Sequence, residues 1–180
     1  MDFAPADRRD YVEQLAGQLA AIHGADYSQL DLSFLRATRA GCNEPRGDWP
    51  ADEQLGEGRI RAAMEKHGPP QTRNAPALLH GDFWPGNALW REGELVAMVD
   101  WEDAMRGDPL IDLAQTRSEI AWTFGIEALE VFSDCYRATI DIEYGALPYW
   151  DLCALCALCA LRGAIWPGWR RVSVPTVARI

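Results

Sequence analysis

Three side chains of this 180-residue chain have the types and order of a phosphoryl-transfer site. The stretch His80-Gly81-Asp82-Phe83-Trp84-Pro85-Gly86-Asn87 is followed, thirteen residues after Asn87, by Asp100-Trp101-Glu102. Phosphoryl transfer needs one carboxylate to orient an attacking hydroxyl and take its proton. It also needs oxygen ligands that hold Mg²⁺ on the nucleotide phosphates. Asp82 suits the first role. Asn87 and Asp100 suit the second, because Mg²⁺ favours such oxygens, with waters and phosphates completing an octahedron. His80 has a reading as a general base. With Asp82 already supplying one, a structural histidine bonded to loop backbone is the expectation.

The elements around these residues must bring them together. Between Asn87 and Asp100, two apolar runs flank a polar centre containing Gly93, which predicts a hairpin. A turn centred on Gly93-Glu94 sets Asn87 directly opposite Asp100, with both side chains on one face. A slip of one residue would turn one of them away. Pro85 and Gly86 predict a bend between Asp82 and Asn87. Further on, Gly107-Asp108-Pro109-Leu110-Ile111-Asp112 carries a helix start, with Asp108 as N-cap and Pro109 at the first helical position. Asp112 then falls in the first turn, where a carboxylate suits the helix dipole, and its expected work is loop bracing.

The rest of the chain reads as mostly helical. Residues 6–23 predict an amphipathic helix with Tyr11, Leu15, Leu19 and Ile22 on one stripe and Gly24 as its stop. Residues 25–50 read as irregular, and 51–67 as a second helix. A short strand at 77–79 precedes the Asp82 loop. Helices near 109–123, 126–140 and 148–165 complete the chain, and residues 172–180 read as loosely held. The net charge of −10 argues against nucleic acid, whose phosphates call for basic patches, and is compatible with a cationic small molecule. No apolar run of membrane-spanning length and no leader is evident, so a cytoplasmic protein is expected. The five cysteines, an odd number, read as reduced thiols. Cys153, Cys156 and Cys159 suggest a metal tract. Three-residue steps on a helix turn about 300° each, however, so the outer two point apart.

The motifs His80-Gly81-Asp82 with Pro85-Gly86-Asn87, Val99-Asp100-Trp101-Glu102, and Gly107-Asp108-Pro109 with Asp112-Leu113-Ala114 resemble those of the aminoglycoside phosphotransferase family. That family includes choline-kinase-like and fructosamine-kinase-like small-molecule kinases. The helix ending Leu19-Ala20-Ala21-Ile22-His23 is similar to the one that opens the family's C-terminal lobe. The resemblance implies an α+β, mostly α fold: the C-lobe of a protein-kinase-like protein, with a catalytic loop and short β-hairpin. It spans residues 1–180 as one lobe, made of an opening helix (6–23), a catalytic and metal-binding segment (78–104) and a helical subdomain (108–166). It implies Asp82 as catalytic base, Asn87 and Asp100 as metal and cofactor ligands, and Mg²⁺ and ATP as cofactors. Trp84 stands where many members carry a histidine.

No N-lobe is recognisable. Lys66 lies in a helical stretch and makes a poor strand lysine, and Gly56-Glu57-Gly58 follows no strand-like run. The expectation is a separately encoded half, a truncated product or a mis-set start. The function expected from the family is phosphorylation of a small-molecule hydroxyl, with the chain alone a weak enzyme. A separate N-lobe chain is one candidate partner and self-association another. The rival reading is an inactive lobe that binds a partner or survives as a remnant. An acidic group, Asp100, Glu102, Asp103 and Asp108, surrounds the site, and Trp122, Trp150, Trp166 and Trp169 are candidates for an acceptor pocket or for core.

Overall fold

The computed structural model describes residues 7–38, 51, 53, 56–71 and 73–165, with side chains through residue 158. Its first helix, α1 (Arg8–Gly24), begins at Asp7, whose side chain accepts from the Arg9 amide. Val12, Leu15, Ala16 and Leu19 follow helical spacing, and all four are fully buried. Each such Val or Leu side chain removed from water contributes about 1.5–3 kcal/mol before entropy is counted. The expected stop at Gly24 is one residue early. Gly24 is still helical, and the Ala25 amide caps the Ile22 carbonyl.

The buried stripe of α1 packs on α4 (Ile126–Thr139), which answers with Ala128, Phe132 and Tyr136 at four-residue spacing. Between these helices and α5 (Leu147–Ile165) runs α3 (Leu110–Phe124). A partly buried ion pair, Arg117 to Asp151 at 2.9 Å, ties α3 to α5. The second helix, α2 (Glu57–His67), starts later than the expected residue 51 and packs on α5. Lys66 lies on it, as anticipated.

Two small sheets carry the loop. Strands β1 (Arg36–Ala37), β2 (Ala77–Leu79) and β5 (Met105–Gly107) form one, in the order β1-β5-β2. Strands β1 and β5 are too short for sequence periodicity to register, and only β2 was legible. Strands β3 (Ala88–Arg91) and β4 (Glu94–Met98) form the expected hairpin. Its turn is Glu92-Gly93, both with positive φ (54° and 86°), which is the twist-compatible two-residue hairpin turn.

The register corrects the sequence reading. Arg91 pairs with Glu94 and Trp90 with Leu95, but a bulge shifts Leu89 onto Ala97 and Ala88 onto Met98. Asn87 therefore meets Val99, not Asp100, and the Val99 amide donates to the Asn87 carbonyl at 2.9 Å.

Among the described cysteines, Cys135 and Cys156 are free thiols, whereas Cys153 is disulfide-bonded, so reduced thiols throughout are not what the structure has. No cluster of His, Cys, Asp and Glu fit for a metal ion occurs among the described residues. No helix among them is long and apolar enough to cross a membrane. The expectations for residues 39–50, for Trp166 and Trp169, and for residues 172–180 lie outside the described residues.

Candidate active site

Strand β2 delivers the chain into the loop at His80-Gly81-Asp82, and α3 holds the loop from behind. Asp112, 1% exposed, accepts the His80 amide on Oδ2 at 2.6 Å and the Gly81 amide on Oδ1 at 3.1 Å. One turn on, Thr116 donates its hydroxyl to the Phe83 carbonyl at 2.8 Å. The loop-bracing role expected of Asp112 is thus what the structure displays, and Thr116 shares it. Asp112 also meets His23 Nε2 of α1 at 3.4 Å, and His23 Nδ1 lies 2.7 Å from the Tyr136 hydroxyl of α4. Thr116 and Tyr136 carried no signal in the sequence beyond their helical spacing.

Gly81 is required where it stands. Its φ is +82°, and a Cβ there would lie 2.2 Å from the Asp103 carbonyl oxygen. Asp82 follows this pinch in the chain. Asn87, at the end of a short 3-10 turn started by Pro85, donates Nδ2 to the Asp82 carbonyl and to Asp82 Oδ2, both at 2.9 Å. The sequence pair Asp82 and Asn87 is thereby in direct contact. The amide oxygen of Asn87 accepts nothing among the described residues, which leaves a hard oxygen ligand beside a fixed carboxylate.

Asp100 arrives differently from the expected cross-strand opposition. Its φ is +67°, a left-handed conformation that only glycine adopts freely and that Asp tolerates better than most residues. This bend re-aims the chain just after β4. The Asp100 side chain is exposed and forms no hydrogen bond or ion pair among the described residues. Strained φ at a non-glycine residue is typical of sites held for function.

His80 is fully buried, against Trp101 at 4.4 Å between ring centroids and Phe83 at 5.8 Å. Burial, the leading cause, pushes its pKa below the usual 6.5; the charges of Asp112, Asp82 and Asp100 act in the opposite direction and are outweighed. Its Nδ1 accepts the Asp82 amide at 3.3 Å. Nε2 makes no aligned hydrogen bond, although the Val99 backbone is near enough to favour a proton on the ring. The structural reading of His80 holds, and a general base with no access to solvent does not.

Helix α1 secures the hairpin side of the site. Gln14 donates to the Gly93 carbonyl and accepts from the Leu95 amide, both at 2.9 Å. Tyr11 stacks on Trp90 at 4.3 Å, and its hydroxyl reaches the Pro85 carbonyl at 3.4 Å. A single helix therefore steadies both the Asp82 loop and the hairpin that follows it.

Residues 2–150 match the profile described as "Phosphotransferase enzyme family". The chain belongs to that family. Its fold also matches solved phosphotransferases. A structure described as "Macrolide 2'-phosphotransferase type I" aligns with TM-score 0.66 at 18% identity, over 87% of this chain and 53% of its own. "Amicoumacin kinase hAmiN in complex with AMP-PNP, Ca2+ and Ami" aligns with TM-score 0.59 at 16% identity, over 96% and 58%. Among curated relatives, "Acyl-CoA dehydrogenase family member 11" of Rattus norvegicus is 28% identical over 127 residues, 66% of this chain and 16% of the relative. This member of the phosphotransferase family thus spans about half the length of the structures it matches, and a sixth of that curated relative.

The other acidic and aromatic candidates of this phosphotransferase-family chain separate cleanly. Asp108 is buried, and its Oδ1 accepts the Leu110 backbone amide and the Asn74 side-chain amide, so it braces the start of α3 and the preceding loop, although the N-cap position itself is Pro109 and not the expected Asp108. Asp103 pairs with Arg36 at the surface, and Glu102 is exposed. Trp150 is core, Trp122 is exposed, and Trp84 is 40% exposed with its ring laid over Gly86. One residue was missed altogether. Glu119 of α3 lies seven residues beyond Asp112 and three beyond Thr116, on the same face. Its pKa is raised, first by burial and then by the charge of Asp82. It makes no hydrogen bond among the described residues.

Proposed function

We propose that this chain is the catalytic lobe of an ATP- and Mg²⁺-dependent small-molecule kinase. The observation that carries the reading is the Asp82–Asn87 contact, which fixes the base carboxylate and leaves an amide oxygen free beside it. Asp82 orients the acceptor hydroxyl and takes its proton as that oxygen attacks the γ-phosphorus and the bond to the departing ADP breaks. Asn87 Oδ1 and Asp100 are the oxygen donors for Mg²⁺, and the residues fit that ion because both are hard, uncommitted ligands. When bound, the ion neutralises phosphate charge. Leu89 and Val99, both exposed, flank Asn87 across the hairpin and offer an apolar surface for a nucleotide base.

The acceptor is an alcohol of modest size, and a cationic one is favoured. Glu119 and Asp82 are two carboxylates with no described cation between them, and an ammonium group on the acceptor would relieve both. Trp84 offers an aromatic face on the same loop. Charge neutralisation and closure from a nucleotide-covering lobe complete such sites, each donor contributing ~10²-fold or more to rate. We expect residues 1–180 alone to bind nucleotide weakly and turn over slowly.

Titration calorimetry of Mg²⁺–ATP against residues 1–180, with Asp100→Ala alongside, tests the reading. Magnesium-dependent binding lost in the variant supports it. A folded protein with no binding at millimolar ATP would favour the inactive, partner-binding lobe instead.

A further inference from the structure

We propose that Tyr136 is a positioning residue for the catalytic loop: by donating to His23, it holds that ring in the single tautomer that can clamp Asp112. The proposal rests on the reading of residues 80–82 as the catalytic loop.

The case is one of counting protons. Tyr136 is fully buried, and its hydroxyl has one partner among the described residues, His23 Nδ1 at 2.7 Å. The two rings meet edge to face, 80° apart. Burial raises the Tyr136 pKa, so the hydroxyl keeps its proton and must place it somewhere. The His23 side chain is equally inaccessible, with Nε2 3.4 Å from Asp112 Oδ2. Asp112 accepts a backbone amide on each oxygen, so it stands as an acceptor-only carboxylate. Nε2 must therefore carry a proton.

A neutral ring has only one N–H, which leaves Nδ1 as a lone pair, and the Tyr136 hydroxyl supplies the donor that lone pair needs. The opposite tautomer would set a lone pair against the carboxylate and two protons against each other. A doubly protonated ring would strand the Tyr136 proton in a dry core. Only one arrangement satisfies every group. It links α4 to α1, α1 to α3, and α3 to the two loop amides that precede Asp82. Histidine rings fixed by the bond at their other nitrogen are the rule where tautomer matters.

The test uses residues 1–180 with ¹⁵N-labelled histidine. Long-range ¹⁵N–¹H correlation at neutral pH should show His23 protonated on Nε2 only. Tyr136→Phe keeps the ring and removes the donor. It should shift His23 to a mixed or charged state and speed amide exchange at His80 and Gly81 about tenfold, the factor for one lost buried hydrogen bond. A wild-type ring protonated on Nδ1, or charged, overturns the proposal even if the variant fails to fold. So does a folded Tyr136→Phe protein with His23 still on Nε2 and unchanged loop exchange. Magnesium-dependent ATP binding, measured on the same wild-type sample, reports separately on the kinase reading: its absence would sink that reading and leave the tautomer result standing.

Discussion

Replacing Asp112 by Asn changes one oxygen to an NH₂ group and keeps the shape. In the native protein three donors converge on the carboxylate: the His80 amide at 2.6 Å, the Gly81 amide at 3.1 Å and His23 Nε2 at 3.4 Å. Asn offers one acceptor oxygen. Its best orientation keeps the short His80 bond and turns NH₂ toward the Gly81 amide, donor against donor. Bonds to a charged acceptor contribute roughly 1.5–3 kcal/mol net, and an orphaned buried donor costs about 1–3. Partial relaxation of the loop offsets some of this, giving an expected loss of about 2–4 kcal/mol. In a domain of this size that lowers Tm by roughly 5–15 °C. Thermal melts give the total, and amide exchange at Gly81 locates it. Exchange at Gly81 should rise more than exchange in the α1–α4 core. A Tm within about 2 °C of wild type, with Gly81 still protected, would refute the claim that Asp112 is what holds the loop.

The other expectations concern strain, space and charge. Asp100→Gly should abolish magnesium-dependent ATP binding while leaving stability unchanged or raised by up to ~1 kcal/mol, since glycine adopts φ +67° without strain; urea titration beside calorimetry checks both. Gly81→Ala meets a left-handed φ and a backbone oxygen at 2.2 Å, so a loss of about 2–5 kcal/mol is expected in the same urea assay. His80 has a folded pKa below 6.5, so the unfolded chain takes up protons first. Its contribution is intact above pH 6.5 and lost as pH falls toward the lower folded value, and urea midpoints should fall less steeply in His80→Asn. Glu119 runs the other way: with its folded pKa above 4.5, its contribution is present at acid pH and lost as pH rises through the folded value. Glu119→Gln should flatten that loss. In calorimetry it should also remove any preference for glucosamine over glucose; an unchanged preference would exclude Glu119 from acceptor recognition.

What the sequence displayed, and what it hid, divides along physical lines. Asp82, Asn87 and Asp100 stood out because the roles proposed for them call for oxygen-bearing types in a fixed order, and the helices were legible because their apolar spacing runs for several turns. Strands β1 and β5 were not, since two or three residues have no period to detect. Their existence depends on partners found only in the fold. The bracing residues were hidden for the same reason. Gln14 and Tyr136 are ordinary on a helix until the hairpin turn and His23 are placed against them.

The hairpin shows how the two kinds of information meet. A turn centred on Gly93-Glu94 would pair Asn87 with Asp100, but the turn lies one residue earlier, at Glu92-Gly93, which alone would set Asn87 opposite Met98; the bulge between Leu89 and Trp90 then moves the pairing on by one, to Val99. On a flat hairpin this slip would send Asp100 to the wrong face. The left-handed φ at Asp100 bends the chain at that point. A glycine at position 100 would remove the strain and, with it, the proposed ligand.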